Sequence, residues 1–241
     1  MTAVKEATRL EVSKGQLYAT ADAAEAFGRR LLLAHGLSEQ DATTVAQCLV
    51  RADLRGVDTH GLQYLPHYLD RVRRGLINAK PKLKVERVMP SIGGLDGDNG
   101  FGFVVATRAM AEAIDMAREF GVGIVTCRRS THFGMAANYV LQAMDAGFIG
   151  LVFTNASPGM PPWGGRDPII GTSPIACGAP ADKETPFDLD MSPAAACCWR
   201  MIYRKKTRPP SHAAWCAPTC VASTRTACSI CHIISTACGA A

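Results

Sequence analysis

The chain has 241 residues, 48% of them hydrophobic and 20% charged, which is too apolar for a disordered chain and long enough for one or two domains with a sizeable core. The first twenty residues mix Lys5, Glu6 and Glu11 with no apolar signal core, and no stretch approaches the roughly 20 apolar residues that span a bilayer, so the expectation is a soluble, cytoplasmic protein without a membrane partner. The net charge of +5 is localised: residues 1–190 hold 20 basic and 21 acidic residues, whereas 191–241 hold six basic residues and no acidic one.

In chain order, Thr20 is placed to cap a helix through His35, with Phe27, Leu31 and Leu32 on one side and Gly36 as the stop. Ser38 followed by Asp41 has the spacing of a capping box, and the helix it opens carries Val45, Cys48 and Leu49 at core spacing and ends by Gly56. A third helix holds Pro66 in its first turn and runs to Arg74, with Gly75 closing it. From Lys82 the period changes. LKVERV alternates as a half-buried strand does, and GGLDGDNGFG reads as a turn-rich stretch. A helix over 103–119, a buried strand VGIVTC, a loop RRSTHFG, a helix over 135–146 and a strand IGLVFT come next. A Pro/Gly-rich loop, ASPGMPPWGGRDP, then leads through IIGTSPIACGAP to a short strand FDLDM. Strands alternating with helices of this length predict an α/β fold, and no repeat of fixed period is present.

Several cofactor signatures are missing. No G-x-G-x-x-G follows any of these strands, no G-x-x-x-x-G-K-[ST] is present, H-E-x-x-H is absent, and the DGDNG run breaks the EF-hand pattern at its fifth position. A nucleotide bound here is therefore not held by a standard Rossmann turn.

Three groups carry possible chemistry. His132 stands in a loop between a buried strand and a helix, where α/β proteins place reactive groups, and an imidazole moves a proton near neutral pH with little tuning. Taken alone, a loop histidine more often serves a capping or packing role, and the same holds for His60 in the turn GVDTHG. Asp188 and Asp190, two apart on a strand, point to one face, where either could accept bonds from ribose hydroxyls or serve as a surface carboxylate.

Taken together, ADLRGVDTHG, the STHFG loop, GFIGLVFTNASP, GGRDPIIGTSPIA and FDLDMS resemble the malate/L-lactate dehydrogenase family of the second type, over about residues 20–196. That family groups non-Rossmann NAD(P)-dependent oxidoreductases, ureidoglycolate and sulfolactate dehydrogenases among them. The resemblance implies a helical N-terminal domain (1–78) joined to a non-Rossmann α/β sheet domain (79–196), and a homodimer. It implies hydride transfer between NAD, with NADP the alternative, and a small 2-hydroxy or 2-oxo acid. The basic cluster RKKTR, Arg204 to Arg208, reads as a solvated helix end, so no nucleic-acid partner is expected. His132 matches the family's catalytic histidine, which takes the hydroxyl proton in oxidation and returns it in reduction. Thr59, His60, Tyr64 and Tyr68 match positions that line the substrate pocket. Asp190, Met191, Ser192 and the backbone around Ala156 match cofactor contacts. Many members carry an arginine where this chain has Tyr64, and a tyrosine can donate a hydrogen bond to a carboxylate but cannot supply the charge; Arg55 and Arg71 are the candidates to replace it.

The resemblance fades after Met191–Ala196, apart from a trace in RMIYRKK. Seven of the ten cysteines fall in 197–241, and at the acidic frequency of the preceding chain the absence of any Asp or Glu there has a chance well under about 1%. Residues 197–241 are therefore expected to be an aberrant Cys-rich, basic tail, with the fold incomplete at the C-terminus: a frameshift or mis-predicted gene end in place of family sequence. A one-base shift of the coding DNA near codons 197–215 should then restore family-like sequence. Two other accounts stand beside the enzyme: an inactive truncated homologue, and a zinc-binding interaction module. Cys216, Cys220, Cys228, Cys231 and His232 have zinc ligand types, but seven cysteines in so short a tail meet such spacings by chance, and no metal ligand is assigned. The C-x-x-C-H haem pattern within the same run lacks the export signal that such attachment needs.

Overall fold

The computed structural model describes residues 11–13, 16–191 and 231–237. A small hairpin of β1 (Glu11–Ser13) and β2 (Gln16–Tyr18) precedes three helices, α1 (Ala21–Ala34), α2 (Glu39–Leu54) and α3 (Leu65–Arg73). Then come β3 (Lys84–Met89), β4 (Ile92–Gly100), α4 (Gly102–Phe120), β5 (Val122–Ser130), α5 (Ala137–Asp145) and β6 (Phe148–Thr154). A two-stranded ribbon of β7 (Pro158–Met160) and β8 (Ile170–Gly171) leads to β9 (Ile175–Ala179), β10 (Phe187–Met191) and β11 (Cys231–Ala237).

The helix ends obey their capping residues. Thr20 Oγ1 accepts from Ala23 N, and Ser38 Oγ accepts from Asp41 N at 3.1 Å. The Asp41 carboxylate returns to the Ser38 hydroxyl at 2.7 Å, so Ser38 and Asp41 bond each other locally. Gly36, Gly75 and Gly121 close α1, α3 and α4 with positive φ. Phe27 departs from expectation. α1 meets its neighbours through Gly28 and Leu32, four residues apart, and this turns Phe27 outward with half of its surface exposed.

Seven strands form one mixed sheet in the order β10-β9-β6-β11-β5-β4-β3. β4 and β5 run parallel, and β11 lies between β5 and β6, antiparallel to both. Ile233 sits level with Val125 on one side and Val152 on the other. β3 is an edge strand on which only Val85 is half-buried, so LKVERV is less buried than its alternation suggests.

The larger correction is GGLDGDNGFG, which forms most of strand β4 and ends at the start of α4, with no separate turn between them. A side chain at Gly93 would lie 2.9 Å from Met116 of α4, and one at Gly97 would lie 2.9 Å from Val105 of the same helix. These glycines let α4 lie close against the sheet.

Two apolar clusters hold the molecule. One joins α4 and α5 to the sheet through Leu95, Met110, Met116, Val125, Tyr139, Val140 and Val152. The other joins α1, α2 and α3 through Leu32, Val45, Leu49, Leu65 and Tyr68, and draws Phe101 and Phe103 from the start of α4 into the helical part. Fully burying one such side chain contributes about 1.5–3 kcal/mol. Among the described residues no helix is long and apolar enough to cross a membrane. Cys216, Cys220 and Cys228 of the tail lie outside the described residues, as does Ser192; Cys231 and His232 belong to β11.

Candidate active site

The loop between β5 and α5 presents His132, and backbone contacts fix it. Thr131 Oγ1 donates to the Gly100 carbonyl at 3.0 Å and accepts from Gly102 N at 3.1 Å. A Cβ at Gly102 would stand 2.2 Å from the Thr131 carbonyl oxygen and 2.5 Å from that of His132, so only glycine lets the start of α4 meet this loop. Just before it, Arg129 adopts a left-handed φ of 51° and its Nε donates to Asp96 at 2.7 Å.

α3 supplies the opposing wall. Pro66 in its first turn starts the helix, and Tyr64, His67, Tyr68 and Arg71 fall three or four residues apart along one face. All four line a cavity of about 970 Å³ together with His132. The Tyr68 hydroxyl and His132 Nδ1 are 2.6 Å apart. His60 is carried by the 3₁₀ turn Asp58–His60, and Asp53 steadies the next turn by accepting from Leu62 N at 2.9 Å. The His60 and His132 ring centroids are 5.4 Å apart.

The floor comes from the ends of strands β6 and β10. Thr154, Asn155, Ala156, Asp188, Asp190 and Met191 all face the cavity. Asp190 Oδ2 accepts from Ala137 N at 2.8 Å, which ties β10 to the start of α5. Asp188 forms an ion pair with Arg55 through one oxygen; its other oxygen is buried and has no hydrogen-bond partner among the described residues.

The electrostatics follow from this enclosure. Burial holds His132 well below the ordinary histidine value, at about 4, and the charges of His60, His67 and Arg71 push the same way. The imidazole is therefore neutral at pH 7, although its ring still opens into the cavity. Burial also lowers the pKa of His60, against the pull of Asp190. The Tyr68 phenol is pushed up by burial and by neighbouring Tyr64, so it keeps its proton. Asp190 is raised by burial, opposed by the Ala137 N–H. For His132 to accept a proton from a molecule in the cavity, Nδ1 must carry its hydrogen and donate to the Tyr68 oxygen, leaving the Nε2 lone pair free.

Of the residues expected from sequence, His60, Tyr64, Tyr68, His132, Ala156, Asp190 and Met191 converge on this one cavity. Thr59 does not line it; its hydroxyl is 2.9 Å from His60 Nδ1, so it reaches the site only through that ring. Sequence reasoning missed His67 and the Arg55–Asp188 pair. The helical spacing of 64, 67/68 and 71 was the available signal for His67. Nothing local signals a contact between residues 133 positions apart.

Comparison with known proteins agrees with this arrangement. The malate/L-lactate dehydrogenase family matches residues 19–216, past Ala196 and through the Arg/Lys-rich segment after it. The malate dehydrogenase of Pyrococcus abyssi is 46% identical over 178 residues, 73% of this chain and 49% of that protein. The L-sulfolactate dehydrogenase of Methanocaldococcus jannaschii is 40% identical over 177 residues, 73% of this chain and 51% of that protein. Among solved structures, the malate dehydrogenase of Pyrococcus horikoshii OT3 superposes with a TM-score of 0.71 at 43% identity, covering 76% of this chain and 53% of that one. The chain spans about half the length of the curated relatives it matches. A fold without the Rossmann glycine turn, a loop histidine set against a tyrosine of α3, and these matches have one reading: the chain belongs to the malate/L-lactate dehydrogenase family.

Proposed function

We propose that this chain transfers hydride between a nicotinamide dinucleotide and C2 of a small 2-hydroxy or 2-oxo acid, with His132 as the proton-transfer residue. The observation that carries this reading is the 2.6 Å contact of His132 Nδ1 with the Tyr68 hydroxyl, on the wall of a cavity that also holds the strand-end residues Ala156 and Asp190. In oxidation Nε2 takes the hydroxyl proton of the substrate as hydride departs from the same carbon. In reduction the imidazolium returns that proton to the forming alkoxide. Tyr68 holds the ring's orientation and the tautomer that this requires.

A nicotinamide dinucleotide fits the residues present. The cavity lies beyond the ends of sheet strands, and the partnerless buried oxygen of Asp188 is an acceptor suited to a hydroxyl. Asp190, Met191 and the backbone at Ala156 would hold the cofactor, which supplies the hydride acceptor or donor when bound. NAD is the cofactor proposed, with NADP the alternative: relatives named as an NAD(+) enzyme and as an NADP(+) enzyme align at 34% and 33% identity. A homodimer and a cytoplasmic location belong to the same proposal. The exposed Phe187 and Leu189 on edge strand β10 support self-association, and sedimentation at micromolar concentration checks it.

The test is an NADH fluorescence titration of the 241-residue chain beside His132→Ala, followed by turnover of malate, lactate and sulfolactate. Saturable binding by both proteins is expected, with turnover reduced about 10²–10⁴-fold in the variant. A folded parent chain that does not bind the dinucleotide would sink the proposal.

A further inference from the structure

The cavity walls carry opposite charges, and this separation bears on how the substrate sits. Among the described residues only two Lys or Arg side chains line it, Arg55 and Arg71. Arg55 is neutralised by Asp188. Arg71 has no carboxylate partner among the described residues. Its nearest acidic neighbour in sequence, Asp70, is engaged by Arg73 at 3.5 Å and Arg74 at 3.6 Å. Arg71 is half-buried, it follows Tyr68 by three residues on the cavity face of α3, and its charge is felt at both Tyr68 and His132. A guanidinium is charged at every working pH, and a half-buried one without an anion leaves its fork of donors for a ligand.

We infer that Arg71 is the carboxylate anchor of this site, binding a small organic acid along the α3 wall beside the Tyr68–His132 pair while the Asp188 and Asp190 wall takes hydroxyl groups. This rests on the hydride-transfer reading only for the name of the acid, a 2-hydroxy or 2-oxo carboxylate. The anion site itself follows from the charge layout. The position of Arg71 also explains how the site dispenses with a cation at Tyr64, since the two side chains are two helical turns apart on one face. Tyr64 can then add a neutral hydrogen bond to the same carboxylate.

Oxalate, a minimal carboxylate probe, decides the matter by calorimetry on the full chain at pH 7. Arg71→Gln should weaken oxalate binding by about ten- to a hundredfold, the range expected for loss of a charge-assisted bidentate contact. Arg71→Lys, which keeps the charge without the fork, should weaken it less. Arg73→Gln, an equal charge change on the exposed side of α3, should stay within about twofold of the parent. Phenylglyoxal labelling of the unmutated chain, mapped by peptide, reads the same point without a variant: oxalate should shield Arg71 and leave Arg73 reactive. Equal oxalate affinity in parent and Arg71→Gln, no oxalate binding by the parent, or an unshielded Arg71 would each overturn the assignment. NADH titration of the same samples separates the two readings, because loss of dinucleotide binding with oxalate binding intact refutes hydride transfer and leaves the anion site standing.

Discussion

His132 is the residue on which protein environment and chemistry bear most directly. Its depressed pKa sets a sign. On the proposed hydride-transfer reading, the neutral form, which oxidation needs, persists as pH falls below 6.5 toward about 4, so kcat/KM for the hydroxy acid should stay level through the range where an ordinary histidine loses activity. Reduction needs the protonated form and should quicken as pH falls over the same window. Rate profiles in both directions check this; an oxidation limb near 6.5 would show that the ring is not desolvated in solution. Stability follows the same logic. The folded-state value lies below the unfolded one, so this contribution is complete above pH 6.5 and is lost as pH falls toward 4. Tyr68→Phe removes the partner of Nδ1. It should lower kcat about tenfold while leaving dinucleotide affinity unchanged, since one neutral hydrogen bond is worth about 0.5–1.5 kcal/mol.

At the scale of elements, the site depends on how α4 meets the loop after β5. Gly102→Ala places a methyl inside the Thr131 and His132 carbonyl oxygens, so the loop or the helix must move. A stability loss of about 1–3 kcal/mol is expected, with activity falling further than stability alone accounts for. Thermal unfolding measured beside turnover tests it, and a variant as stable and active as the parent would show that the contact is slack. The same junction shows what could be read from sequence. α1 and α2 were legible because capping residues, apolar spacing and terminal glycines agree with one another, α3 to α5 through apolar spacing and terminal glycines without a side-chain cap, and the STHFG motif located His132 by resemblance. Strand β4 was not legible. Its glycines serve a helix packed above them, and that contact joins Gly93 to Met116 and Gly97 to Val105 across the chain. Local composition says turn where tertiary approach demands a strand. The candidate site was legible in so far as His60, Tyr68, His132 and Asp190, named from motifs, line one cavity, and illegible where two distant segments meet, as at Arg55 and Asp188.

For the whole molecule, β11 is the element of greatest leverage, because it satisfies the backbone of β5 and of β6 along most of their lengths. A chain ending at Ile230 would leave both strands with unpaired edges in the middle of the sheet. It should unfold without cooperativity and aggregate, and size-exclusion chromatography beside a urea titration would record this. A monomeric, cooperatively unfolding fragment would show that the slot closes without β11. The tail strand also works as a ruler. His132 follows β5 and Ala156 follows β6, and neighbouring strands stand about 4.8 Å apart, so a single intervening strand sets those two walls roughly 10 Å from each other. Direct pairing of β5 with β6 would narrow the gap to one spacing, whereas a second inserted strand would widen it to three. The backbone span at that side of the cleft is thus counted in whole strands, and side chains only fill in what the strands leave between them.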